Sequence, residues 1–183
     1  MSIWAALAGG FAGTLVLTTV LRTASELHLT RIDLPFLLGT VVTADRTRAK
    51  AIGYAAHFGF GLVFALGYYG LFAAIGRHDW WLGALFGLGE SLFAGSFLVN
   101  VLLPLVHPRM ATPLSDAGTV ALLEPPGFML RNYGLQTPVV SLVAHVLYGT
   151  IIALFLTLAG GRWRDSDITA PCATAGLPRT RRR

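Results

Sequence analysis

Four apolar stretches, each long enough to cross a bilayer, constrain this chain more than any other feature. They run from about Ile3 to Leu21, Ala51 to Ile75, Trp80 to Val106 and Val139 to Ala159. A spanning helix needs about 20 mostly apolar residues. Backbone N–H and C=O groups in hydrocarbon must find partners inside the segment, so long single runs predict helices rather than barrel strands. Charged residues make up 13% of the 183 positions and hydrophobic ones 54%. A soluble domain carries about 25% charged residues, so this chain lacks the polar surface to face water on all sides. Its mean hydropathy of +0.63 agrees. The reading is an all-α, integral membrane four-helix bundle over residues 1–160. A basic tail, 161–183, ends Arg-Thr-Arg-Arg-Arg and reads as disordered.

The connections refine this picture. Gly76-Arg77-His78-Asp79 is a tight link, so the second and third helices form an antiparallel hairpin. Residues 27–50 hold the apolar patch Leu34-Pro35-Phe36-Leu37-Leu38, flanked by Arg31, Asp33 and Asp45, and lie along or dip into the membrane surface. Residues 107–138 carry Pro108, Pro113, Pro125, Pro126 and Pro138 and read as an ordered, irregular cap. Trp80 and Trp81, with Tyr54, Tyr133 and Trp163, fit interfacial belts.

The net charge of +5 would suggest nucleic acid in a soluble protein. Here the basic residues fall in loops and tail, so lipid headgroups are the expected partner and nucleic acid is not. The opening MSIWAALAGG lacks a basic residue before its apolar run, which argues against a cleaved signal peptide. The single cysteine, Cys172, excludes an internal disulfide. Arginines are nearly balanced across the two sides, and the orientation adopted puts both termini in the cytoplasm.

An internal duplication is also legible. Gly53–Tyr68 aligns with Ser141–Leu156, bringing Ala56-His57 onto Ala144-His145, Phe60-Gly61 onto Tyr148-Gly149, and Ala65-Leu66 onto Ala153-Leu154. The first and third helices match more weakly, with Ala5, Gly9 and Gly13 on Gly83, Gly87 and Ser91. Residues 3–75 and 80–160 then read as two copies of one hairpin in parallel orientation. Small residues spaced by four let helix backbones approach, so Gly53, Gly61, Gly87 and Gly149 are expected at helix–helix contacts. These stripes turn His57 and His145 inward, roughly 10 Å deep.

Ionisable groups within a membrane are costly and face the bundle or a cavity. At the depth of the histidine pair, the far ends of helices one and three bring Arg22 and Asn100, with Glu26 and His107 nearer the surface. All are expected in one polar cluster. Glu90 stands near mid-bilayer, with Thr14, Ser91 and Ser96 as possible donors; it reads equally as a proton site or as a satisfied interhelix bond. The histidines admit three readings: structural hydrogen bonds, the lining of a cavity for a small ligand, lipid or quinone headgroup, or ligation of a metal or b-type haem. Two histidines without carboxylate or thiolate support make a thin metal site, and no haem motif is present, so no cofactor is expected and the metal question stays open. No phosphate-binding glycine loop or hydrolase triad appears.

Ala56-His57 through Val63-Phe64-Ala65-Leu66-Gly67-Tyr68 resembles the second helix of the YagU-type bacterial inner-membrane proteins, and Ala144-His145-Val146-Leu147-Tyr148 resembles their last. Trp81-Leu82-Gly83-Ala84-Leu85, Pro104, Asp33-Leu34-Pro35 through Leu38-Gly39, and Pro126-Gly127-Phe128 are similar to segments of these and related proteins. The resemblance covers most of residues 3–160. It implies an inner-membrane protein without evident enzymatic machinery, and a recurrent pair at His57 and His145. Helix three of that family carries a central histidine where this chain has Glu90-Ser91, which counts against a three-histidine metal site. The expected role is a small-ligand or lipid-binding membrane protein, or an accessory one acting with partner subunits or as a homo-oligomer. Alternatives are a small proton-coupled transporter using Glu90 and the histidines, and a haem-bearing subunit.

Overall fold

A computed structural model of the chain describes residues 1–110 and 123–168, with side chains described as far as Gly160. Helix α1 (Ile3–Glu26) is followed by a short α2 (Leu34–Gly39) and by α3 (Arg46–Ile75). The third crossing begins as α4 (Trp80–Phe93), continues as a π-helix over Ala94–Leu102 and closes with one α-turn, α5 (Leu103–Val106). A 3-10 segment, Phe128–Tyr133, precedes α6 (Thr137–Ile168). Four helical stretches are long and apolar enough to cross a membrane: Ile3–Glu26, Arg46–Ile75, Trp80–Val106 and Thr137–Gly160. The protein is a multi-pass, all-α membrane bundle.

Three of the four crossings exceed their apolar stretches, while the third keeps its bounds, Trp80–Val106. Helix α3 starts at Arg46 because the Asp45 side chain accepts from the Arg48 N–H, an N-cap that sequence hydropathy does not register. It stops at Gly76, whose φ of 72° is the left-handed C-cap that permits the tight turn to Asp79. Helix α6 continues through residues read from sequence as disordered tail, as far as Ile168; residues 169–183, with Cys172, lie outside the described residues. So do residues 111–122, which include Pro113 of the expected cap.

Helix α6 is the spine. It packs along both α1 and α4, while α3 packs along α1 and α2. Small residues set these approaches. A Cβ at Gly13 would press on Tyr148, one at Gly87 on the His145 carbonyl, and one at Gly149 on the Gly83 carbonyl. A Cβ at Gly61 would strike the Thr14 hydroxyl, and one at Gly53 the Pro35 carbonyl. The last contact explains where the 27–50 loop goes: α2, capped by the Asp33 carboxylate on the Phe36 N–H, lies across the first turns of α3. Surfaces away from these seams expose large apolar side chains such as Trp4, Phe11, Val63 and Leu105, as a lipid-facing surface requires.

Helices α3 and α4 behave differently. They meet through Tyr68, Phe72, Phe86 and Glu90 near their shared link, with Tyr68 and Phe86 rings 5.9 Å apart and Phe72 and Phe86 5.2 Å apart. Beyond that point α3 and the π-helical segment diverge. The π-helix holds five residues per hydrogen-bonded step, as in the Leu103 N–H to Leu98 carbonyl bond. Its Asn100 side chain donates to the Gly95 carbonyl across 2.6 Å. Pro104, which has no N–H to give, lies just beyond.

Candidate functional site

The divergence of α3 from the third crossing leaves a cavity of about 410 Å³. Its walls come from one half of every helix: Leu17 and Leu21 of α1, Ala56 and Phe60 of α3, Gly95 and Leu98 of the π-helix, and Ser141 and His145 of α6. Leu34 and Leu38 of α2, together with Leu130 of the 3-10 segment, roof it on the side of the long loops. Glu90 and Tyr148 lie at its inner end. Ile52, Phe60, Leu102 and Val106 line it and are also exposed on the outer surface, so it opens sideways between α3 and the third crossing, toward lipid. The volume falls in the range of small-molecule sites, about 300–1,000 Å³.

The roof is built from an unusual backbone. Met129 and Leu130 both adopt left-handed conformations, with φ of 53° and 63°, although neither is glycine. Each costs about 1–3 kcal/mol and persists only where surroundings dictate it. Met129 is held against Gly95, and its sulfur accepts from the Ser96 hydroxyl at 3.6 Å. Leu130 thereby enters the cavity from above. The flanking bonds tie this strained pair to the bundle: Asn132 donates from its side chain to the Pro125 carbonyl, and the Arg31 N–H donates to the Tyr133 carbonyl at 2.7 Å.

Both His57 and His145 are among the residues that line the cavity. The Nδ1 of His145 lies 2.8 Å from the Ser141 carbonyl. A carbonyl only accepts, so this nitrogen carries the proton and the lone pair of the neutral ring stays at Nε2. His57 is 9% exposed, and its Nε2 is buried without a hydrogen-bond partner. An unpartnered buried polar atom is rare enough to require an explanation. Glu90 lines the same cavity, and its Oε2 accepts from the Tyr68 hydroxyl at 2.7 Å. The serines and threonine expected near Glu90 are engaged elsewhere: Ser91 with Ser141 at 3.2 Å, Ser96 with Met129, and Thr14 with the Gly10 carbonyl at 2.7 Å. Tyr148 donates to the Gly61 carbonyl, closing the wall between α6 and α3.

Arg22, Asn100, Glu26 and His107 do not form the polar cluster expected of them. Arg22 pairs with Glu26 one turn on, at 2.7 Å, and its side chain is 54% exposed. It reaches only a separate crevice of about 20 Å³ beside the outer side of His57, shared with Asp33 and Tyr54. Asn100 turns back onto its own π-helix, as described above. His107 is buried with α2 instead. Its Nδ1 accepts from the Arg109 N–H at 3.1 Å, which leaves Nε2 to donate to the Leu37 carbonyl at 3.2 Å, with the Thr40 hydroxyl equally near. Burial holds the His107 pKa below its ordinary value, and the adjacent Arg109 acts in the same direction. Depth along a helix was readable from sequence, but the face on which each side chain emerges was not, and the π-helix shifts that face further.

Tyr68 and Tyr148 were missed as functional neighbours. The available signal was their depth, since both are phenols set among otherwise apolar residues near the helix centres, where a hydroxyl needs a partner. Among the described residues, no three His, Cys, Asp or Glu side chains gather closely enough to hold a metal ion. Fold and site together define a multi-pass membrane bundle with an internal, bilayer-facing cavity. No family model, curated protein or solved structure matches the chain.

Proposed function

We propose that this protein binds a small lipophilic molecule within the membrane, admitting it sideways between α3 and the third crossing. The observation that carries this reading is the cavity of about 410 Å³, almost wholly apolar, with His145 and Glu90 among its few polar lining side chains. Apolar walls with few polar groups are the usual make-up of a small-molecule site. The test is native mass spectrometry of the full chain released from mild detergent. Wild type should retain one lipophile per chain, and Leu98→Trp, which fills the cavity, should retain none. Equal retention by both proteins would overturn the reading.

Transport is a second reading, favoured by the presence of Glu90 on the same cavity as both histidines. Glu90→Gln should then abolish proton-coupled uptake in vesicles, and unchanged flux would sink it. The reading also takes in a bacterial inner-membrane location with cytoplasmic termini, kinship with the YagU-type proteins, and an origin by hairpin duplication. Its support is the matched spacing around His57 and His145. Partner subunits or self-association would act through the exposed apolar faces, and gentle extraction with cross-linking would detect them.

A further inference from the structure

From the cavity and its rim together we infer the class of occupant and its direction of entry. It is an anionic phospholipid that enters tail first, with one acyl chain in the cavity and its phosphate at Arg48 and Arg109. This inference rests on the binding role proposed above.

The interior suits a chain and not a charged head. No lysine or arginine lines the cavity among the described residues. Most of its polar side chains hold bonds within the protein. Tyr148 donates to the Gly61 carbonyl, Thr14 to the Gly10 carbonyl, and Ser141 pairs with Ser91. The His57 Nε2 is sealed, with less than 1 Å² of its surface exposed. A phosphate inside would face the Glu90 carboxyl with no counter-charge, and an unpaired buried charge is far costlier than buried methylenes. An acyl chain passes from the bilayer onto these apolar walls without giving up a hydrogen bond.

The rim suits the head. Arg48, Ile52, Ala56 and Phe60 follow at four-residue spacing and so lie in one row along α3. The last three line the cavity, and Arg48 stands exposed one turn beyond Ile52. Helical side chains lean toward the helix N-terminus, which carries this guanidinium to headgroup level. On the other flank, Arg109 follows three residues after Val106, which lines the cavity. Its guanidinium donates to the Thr40 carbonyl, next to the lining residues Val41 and Val42. The ion pairs among the described residues engage neither arginine. The Asp45 carboxylate nearby accepts from the Arg48 backbone N–H at 2.8 Å as the helix cap. Guanidinium forks match phosphate oxygens. A phosphate held there leaves the second chain of the lipid in the bilayer.

The experiment offers the purified full-length chain in mild detergent two lipids with the same chains, dioleoylphosphatidylglycerol and dioleoylglycerol, and counts bound species by native mass spectrometry. The phospholipid should be retained at least about ten-fold over dioleoylglycerol. Arg48→Gln should lower its retention about five-fold, and Arg48→Gln with Arg109→Gln at least about ten-fold, as expected for arginines at a membrane surface. Dioleoylglycerol retention should not change in either variant. If Arg109→Gln unfolds the chain, Arg48→Gln, at an exposed position, decides alone. A phosphatidylglycerol with a photoreactive diazirine near the end of one chain then reports direction. It should cross-link Phe64 or Tyr148, and Leu98→Trp should abolish those products. Equal retention of the two lipids, or phospholipid retention unmoved by Arg48→Gln, would overturn the placement of the head. Chain-end products at Ile52 and Val106 without any at Phe64 or Tyr148 would overturn tail-first entry. Both outcomes leave sideways binding intact, whereas retention of neither lipid would remove it as well.

Discussion

The Tyr68 hydroxyl bonds to Oε2 of Glu90 across 2.7 Å, joining α3 to α4 at the level where the two helices begin to part. This bond lies between the aromatic contacts of the hairpin and the start of the cavity, so it sets where packing stops and open space starts.

Tyr68→Phe therefore removes the donor and strands a buried carboxyl. The expected loss is about 1–3 kcal/mol of stability. Glu90→Gln, whose amide oxygen can still accept, should cost less than half as much. Reversible unfolding in mixed micelles, run as a double-mutant cycle, would read the coupling directly. A coupling near zero would mean that the two side chains do not hold the helices together.

Close backbone approach predicts a sharp contrast between two glycines. Gly149→Ala places a methyl group against the Gly83 carbonyl and the Tyr68 ring, and overpacking of this kind costs about 1–3 kcal/mol. Gly89→Ala meets nothing within 4 Å and should gain up to about 1 kcal/mol from helix propensity. Thermal denaturation of the two variants should move in opposite directions.

The π-helix depends on a side chain that serves a backbone carbonyl. Asn100→Leu leaves the Gly95 carbonyl without the amide bond it now receives. Unmet backbone groups are poorly tolerated in hydrocarbon, so the segment should relax toward α-helical pairing, with a stability loss of about 1–3 kcal/mol. Hydrogen exchange of the amides from Ala94 to Leu102 should change markedly, while exchange in α6 stays as it was.

His107 couples the loop to pH. Its folded pKa lies below the unfolded value because burial disfavours the imidazolium. The unfolded loop thus takes up the proton first. The stabilisation is complete above about pH 6.5, the unfolded value, and declines as pH falls toward the folded pKa. Exchange protection at Leu37, Thr40 and Arg109 should weaken between pH 7 and pH 5. His107→Gln, which cannot titrate, should abolish that dependence.

The helices were legible in the sequence because a bilayer writes its thickness as an unbroken apolar run. The shared position of His57 and His145 on one cavity follows from their place in rows of small residues, which turn a helix face inward. The polar neighbours of Glu90 were not legible, because hydropathy gives depth and not rotation about the axis. Tyr68 aligns with Leu156, so the alignment of the two histidine-bearing stretches gave no reason to single it out. The π-helix has no compositional mark in the apolar run; the contacts that accompany it are the Asn100 side-chain bond to the Gly95 carbonyl and the packing of Met129 on Gly95. Arg22 was misplaced for a simpler reason: Glu26 stands one turn away on the same helix face and satisfies it at the surface.

The divergence of α3 from the third crossing has a directional consequence. The two helices are joined at the Gly76–Asp79 link, and the cavity between them runs along α3 from Ile52 near its α2 end to Phe64 around its middle. Under the binding role proposed above, the monolayer facing α2 would be the nearer source of an occupant, so exchanging the lipids of the two monolayers at constant total concentration would change occupancy.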